Sequence, residues 1–277
     1  MLRWLWLGLP QPVRRRLSPL HGFAKSVEHA GQILALGPSV RERVRLVAIG
    51  STLLVKAAVR RRGGYLYRVR IARGTEQWSF LVGEWSDLQV AREVFFDDQY
   101  HLPTNTTARV IVDAGANIGL SVLLFAHRFP DAAIHAVEPD RTSLRKLLRN
   151  VGHLPNVTVH PVAVGATDGW AGFREASAGW ASSLSDDGEG HVVPVINLAR
   201  FVREVADGRA DILKLDVEGA EWAILRRTRL ADCARIVLGE LHRWRLRNGE
   251  VGHLRPGLDG LDVTYLGRPG DGPFIAI

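Results

Sequence analysis

Val110-Ile111-Val112-Asp113-Ala114-Gly115-Ala116-Asn117-Ile118-Gly119-Leu120 is a short apolar run that ends in an acid and a glycine-spaced loop. The apolar residues that follow, to about Phe129, recur at helical spacing. Glycines at a strand-to-helix handover permit a tight turn and leave no Cβ in the way of a ligand. Outward from this stretch, residues 133–137 read as a second strand ending in Glu138-Pro139, followed by a helix over about 141–151. Residues 157–164 read as a third strand. Residues 210–217 and 235–241 read as two more, separated by a helix over about 218–229. Strands alternating with helices of about 10–15 residues predict βαβ units, hence a doubly wound, mostly parallel α/β sheet covered on both faces. The Gly/Ser-rich excursion over 165–190 reads as a hairpin or a lid, and no internal repeat is found.

The front of the chain differs. Residues 65–71 and 77–82 alternate as strands do, Arg73-Gly74-Thr75 suits the turn between them, and Ser86-Asp87 offers an N-cap for a helix over about 88–96. The Pro-containing connector at 101–107 is a boundary. The expected division is a smaller basic α+β extension over residues 1–105 and the α/β domain over 106–277.

Composition excludes several classes. With 46% hydrophobic and 23% charged residues, the 277-residue chain is neither disordered nor collagen-like. A single cysteine, Cys233, excludes an intrachain disulfide and a cysteine-based metal cluster. The longest nearly apolar stretch, residues 46–55, is ten residues, against the ~20 a membrane-spanning helix requires. A soluble, cytoplasmic protein is expected. Charge is unevenly spread: residues 1–73 carry +13 and the remainder −6. That predicts a partner for the front end among an acidic carrier protein, an anionic membrane surface and, less favoured, nucleic acid. The competing reading is solvated decoration, since only four of the 36 bases are lysine. The opening sixteen residues lack the order of a signal peptide, because Arg3 interrupts the apolar run and Arg14, Arg15 and Arg16 follow it. They read as an amphipathic element, packed on the protein or lying on a membrane.

The loop also carries chemistry. Asp113 precedes the first glycine, and a carboxylate there repels the pyrophosphate that a dinucleotide loop cradles. It favours an ammonium instead. Twenty-five residues on, Glu138 ends the second strand, where an acid can hold both hydroxyls of a ribose. S-adenosylmethionine, with an ammonium, a sulfonium and a ribose, fits that arrangement better than NAD.

The segments VIVDAGANIGL (110–120), AVEPD (136–140), ILKLDVEGAEWAIL (212–225) and GELH (239–242) resemble the FkbM family of S-adenosylmethionine-dependent methyltransferases over about residues 86–245. The most specific part is Lys214-x-Asp216-x-Glu218-Gly219-x-Glu221. The resemblance implies a Rossmann-like methyltransferase sheet and methylation of a small-molecule hydroxyl on a sugar, polyketide or related natural product. It also implies that Asp113, Gly115, Asn117, Gly119 and Glu138 bind the cofactor, with Ala163 near the adenine. One departure is Asn197-Leu198-Ala199, where the family usually has a T-L-D step before a helix.

The reaction centre can be argued from the residues independently. Side chains alternate along a strand, so Lys214 and Asp216 share a face, as do Glu240 and His242. On adjacent strands these four groups could converge in a small volume. Lys214 also reads as a buried salt bridge, and Glu218 and Glu221 as acids favouring a helix N-terminus. His242 suits a general base near neutral pH, with Asp216 or Glu240 orienting it or taking the proton, and Glu218 as a further candidate. A metal held by Asp216, Glu240 and His242 is chemically possible but not expected. Competing classes are a nucleic-acid methyltransferase, which lacks here an N-P-P-[YF] step, and a non-catalytic cofactor-binding protein.

Overall fold

The computed structural model describes residues 31–32, 35–59, 64–100, 102–174, 183–185, 191–217, 220–241, 255–265 and 272–277. The core begins with β3 (Val110–Ala114), α3 (Leu120–Arg128), β4 (Ala133–Val137), α4 (Arg141–Val151) and β5 (Val157–His160). After an excursion come α5 (Leu198–Val205), β10 (Ala210–Leu215), α6 (Glu221–Arg227), β11 (Ala234–Leu241), β12 (Val263–Tyr265) and β13 (Gly272–Ala276). They form a seven-stranded sheet in the order β12-β13-β11-β10-β3-β4-β5. From β11 to β5 all pairings are parallel, and β13 runs antiparallel to both β11 and β12. The order turns back between β3 and β10, and open α/β sheets bind ligands outside the strand ends at such a point.

Alternate residues of the central strands enter two separate cores. Ile111, Ile134, Ile212 and Ile236 face one side, where Leu120 and Phe125 of α3 cover them. Val112, Leu213, Leu215 and Val237 face the other, against Phe201 and Val202 of α5 and Trp222 and Leu225 of α6. That is the expected doubly wound sheet.

Ahead of it lie α1 (Val40–Ala58), the antiparallel hairpin β1 (Tyr67–Arg73) and β2 (Glu76–Val82), and α2 (Trp85–Phe95). Their apolar residues Leu46, Leu53, Phe80, Leu88 and Phe95 belong to the same buried cluster as Ile111 and Ile212. The front section therefore covers one face of the sheet. Polar ties fix its position. Lys146 of α4 pairs with Asp87 at 2.7 Å, both side chains 5% exposed, and Asn150 exchanges hydrogen bonds with Leu81 at 2.7 and 3.2 Å.

Three boundaries differ from the sequence expectations. Helix α2 starts three residues early, capped by Glu84; Asp87 is its N3 residue and accepts from the Glu84 amide at 3.0 Å, closing a capping box. The expected third strand breaks at Pro161, which has no N–H to give a ladder. Only β5 joins the main sheet. Its continuation β6 (Ala163–Gly165) joins β7 (Gly169–Arg174), β8 (Ser183–Ser185) and β9 (His191–Asn197) in a separate four-stranded sheet. The third is the start of α6 at Glu221, after the expected position. Within the excursion, β7 and β8 pair antiparallel as a hairpin. At the departure from T-L-D, Asn197 itself caps α5, accepting from Arg200 N at 2.9 Å and donating to Ala166 O at 2.7 Å.

Candidate active site

The loop after β3 alternates its backbone. Gly115, Asn117 and Gly119 have φ of +86°, +50° and +89°, left-handed values that glycine adopts freely and asparagine tolerates best among the rest. At Gly115 closeness matters as much: an added Cβ would lie 1.7 Å from the Asp216 carbonyl oxygen. The loop is pressed onto the end of β10, and only glycine fits. At Gly119 a Cβ would meet Leu147 and Val151 of α4.

The parallel register sets Lys214 beside Asp113, and side chains at one register level share a face. Lys214 Nζ donates to the Gly115 carbonyl at 2.6 Å and pairs with Asp113 at 3.1 Å and Asp216 at 3.6 Å. Burial pulls its pKa down, but Asp113 and Asp216 outweigh that and hold it above the usual value. Lys214 is thus a buried ammonium tying the loop to two strands. Asp113 is completely buried and also accepts from Ser121 Oγ at 2.5 Å.

A cleft of about 320 Å³ opens in front of this tie, within the range of small-ligand sites. Gly115, Asn117, Lys214, Asp216 and Glu240 line it from the sheet side; Gln89, Glu93, Gln99 and Tyr100 line it from the front section. Asp216 Oδ1 is buried without a hydrogen-bond partner among the described residues, while Tyr100 donates to Oδ2 at 3.3 Å. Burial, then Asp216 and Asp113, push the Tyr100 hydroxyl well above its ordinary range, so it stays a donor. Gln99 donates to Glu240 Oε2 at 2.9 Å. Glu93 reaches the cleft from α2. Desolvation, then Glu240, Asp216 and Asp97, raise its carboxyl to about 7 against the opposing pull of Arg92.

The structure thus brings together five of the sequence-predicted residues and places others behind them. Glu138 is buried and accepts from the amides of Asn117 at 2.7 Å and Asp140 at 2.8 Å, so its carboxylate holds the glycine loop in shape. Burial nevertheless outweighs those bonds and lifts it to about 7. Ala163 is buried at the start of β6 and is not among the residues lining the cleft. His242 and Glu218 lie outside the described residues. Among the described residues no three of His, Cys, Asp or Glu are placed to share a metal ion. Gln89, Glu93, Gln99 and Tyr100 were not singled out from the sequence, because nothing in their local pattern says which strand ends they will face.

A doubly wound sheet with a cleft at its switch point defines a class of α/β ligand-binding proteins. The family model described as the methyltransferase FkbM domain matches residues 113–261, more than half of the chain, and the chain belongs to that family. It is an S-adenosylmethionine-dependent methyltransferase. It is 27% identical to Methyltransferase 1 of Beauveria bassiana over 180 residues, covering 55% of this chain and 72% of that one. It is 29% identical to Methyltransferase sdnD of Sordaria araneosa over 174 residues, covering 50% and 67%. Among solved structures it is similar to Aeropyrum pernix fibrillarin in complex with S-adenosyl-L-methionine, at 18% identity and a TM-score of 0.43, covering 78% of this chain and 85% of that one.

The cleft suits that cofactor. The buried, unpartnered Asp216 Oδ1 on its lining is an acceptor available to a ligand bearing positive charge. Asp216 and Glu240, with the backbone of Gly115 and Asn117, would hold it.

Proposed function

We propose that the enzyme methylates a hydroxyl oxygen of a sugar, polyketide or related small molecule. The observation that carries this reading is the position of Glu93, a carboxyl that α2 places on the cleft wall opposite the strand ends, beside Arg92 at 3.5 Å, and that desolvation and the neighbouring acids raise to about 7. An alcohol is a poor nucleophile until its proton is taken, and a base is most effective with a pKa near the operating pH. The bound cofactor supplies an already activated methyl group. What the chain must do is place the acceptor oxygen, exclude water and accept one proton.

The residues divide those tasks. The Gly115–Lys214–Asp113 tie fixes the loop against β10, and Tyr100 and Gln99 hold Asp216 and Glu240 in place from the front section. Glu93 takes the proton, or His242, two residues past Glu240, does so; these are the two base candidates. The test is to incubate the enzyme with isotopically labelled S-adenosylmethionine and extracts of cells lacking it, and to identify the labelled product. A methoxy group on a small molecule is expected. Label on an amine, on carbon or in RNA would overturn the reading.

A further inference from the structure

Helix α1 presents two apolar faces. At about 100° per residue, Leu46, Ile49 and Leu53 point into the core, as their burial shows. On the opposite side Val40, Val44, Val47, Leu54 and Val55 fall within an arc of about 100°, with exposures of 76%, 64%, 48%, 38% and 65%. Ser51 is the polar residue in that stripe. Isolated exposed aliphatics are ordinary on a protein surface, but an aligned row is a patch that calls for a partner.

The surroundings of the row identify the partner. Arg41 borders it on one edge and Arg43 on the other, and Glu42, the acid of this helix, is turned inward to Arg45 and Arg70. On the flank of α1, Lys56 lines a groove of about 440 Å³ with Arg145 and Arg149 of α4, neither of which has an ion-pair partner among the described residues. Exposed Leu148 lines the same groove. The first 73 residues carry +13 in all. An apolar stripe edged by arginines along a helix ~28 Å long matches a flat surface that is apolar inside and negatively charged at its rim. A second copy of the chain would bring the same positive charge against it.

We infer that α1 docks this methyltransferase on an anionic lipid bilayer, its valine stripe entering the interface and the flanking arginines meeting lipid phosphates. The helix lies on the membrane and does not cross it, in keeping with the absence of any described helix long and apolar enough to do so. The catalytic cleft is built from α2 and the strand ends, so docking and methyl transfer are separable.

The test is sedimentation of the full-length protein with phosphatidylcholine vesicles, with and without phosphatidylglycerol. Binding to the anionic vesicles only is expected, weakening with salt. Val44→Asp/Val55→Asp should reduce it about tenfold or more while keeping the thermal shift given by S-adenosylhomocysteine. Should that variant lose the shift, Val44→Ser/Val55→Ser carries the same test. Undiminished vesicle binding by a folded variant would overturn the proposal. So would no binding by the parent protein, a dimer in solution that the substitutions break, or capture of an acidic protein in place of vesicles.

Discussion

Gly115 shows how one residue type can be dictated by its neighbours. Its φ is +86° and a Cβ would occupy the space of the Asp216 carbonyl. Gly115→Ala should therefore abolish the thermal shift given by S-adenosylmethionine and lower the melting temperature sharply. Gly74→Ala, in the open hairpin turn at φ +60° with nothing nearby, should cost only about 1–2 kcal/mol. Differential scanning fluorimetry of the two variants checks this. For the proton, Glu93→Gln should lower turnover by ~10²–10⁴-fold with little change in cofactor affinity. The parent's rate should rise with pH through about 7, since only the ionised carboxylate accepts a proton; in Glu93→Gln that rise should vanish. A flat parent profile, or a variant with full rate, would pass the role to His242, for which His242→Ala is the matching measurement. Glu138 makes a prediction about stability. Its folded pKa of about 7 lies above the ordinary 4.5, so the native state binds the extra proton between those values. Stability from this group is complete below about 4.5 and is lost as pH rises to about 7. In Glu138→Gln, urea denaturation across that window should show a shallower decline.

Among the elements, α2 has two tasks. Its N-terminus is fixed by the capping box and by Asp87, which accepts from Gly83 N at 2.7 Å and holds Lys146; its middle places Glu93 at the cleft. The buried ion pair is therefore a joint between the front section and α4. Lys146→Met leaves the Asp87 carboxylate buried without its cation and should destabilise the protein by roughly 3–5 kcal/mol. Adding Asp87→Asn should recover part of that loss, measured by chemical denaturation as a double-mutant cycle. The strand elements show the limits of pattern reading. Residues 157–164 are rich in valine and read as one strand, yet Pro161 divides them between two sheets. The helix after β9 was implied only by the family's pattern, and its cap is Asn197, two residues before the position the family's Asp occupies.

For the whole molecule, the two faces of the main sheet are unequal. One is closed by α5 and α6. The other is shared between α3 and the front section, and at its open end the ladder of Asp113, Lys214, Asp216 and Glu240 replaces aliphatic side chains. A ligand seated there touches the core and the extension together, so its binding should stabilise both. S-adenosylmethionine should raise the melting temperature of the intact chain in one cooperative transition, NAD should not, and Asp216→Asn should diminish the shift; a shift with NAD alone would overturn the cofactor assignment. The sequence by itself determined the alternation of strands and helices, the glycine loop and the acid ladder, because periodicity, backbone freedom and charge are local properties that a short segment displays. Only the tertiary structure decided that Glu93, Gln99 and Tyr100 complete the cleft, that Asp113 and Glu138 brace the loop from behind, and that α1 keeps an apolar stripe outside. Which layer covers a given sheet face is settled by packing between segments distant in the chain, and no local pattern encodes that choice.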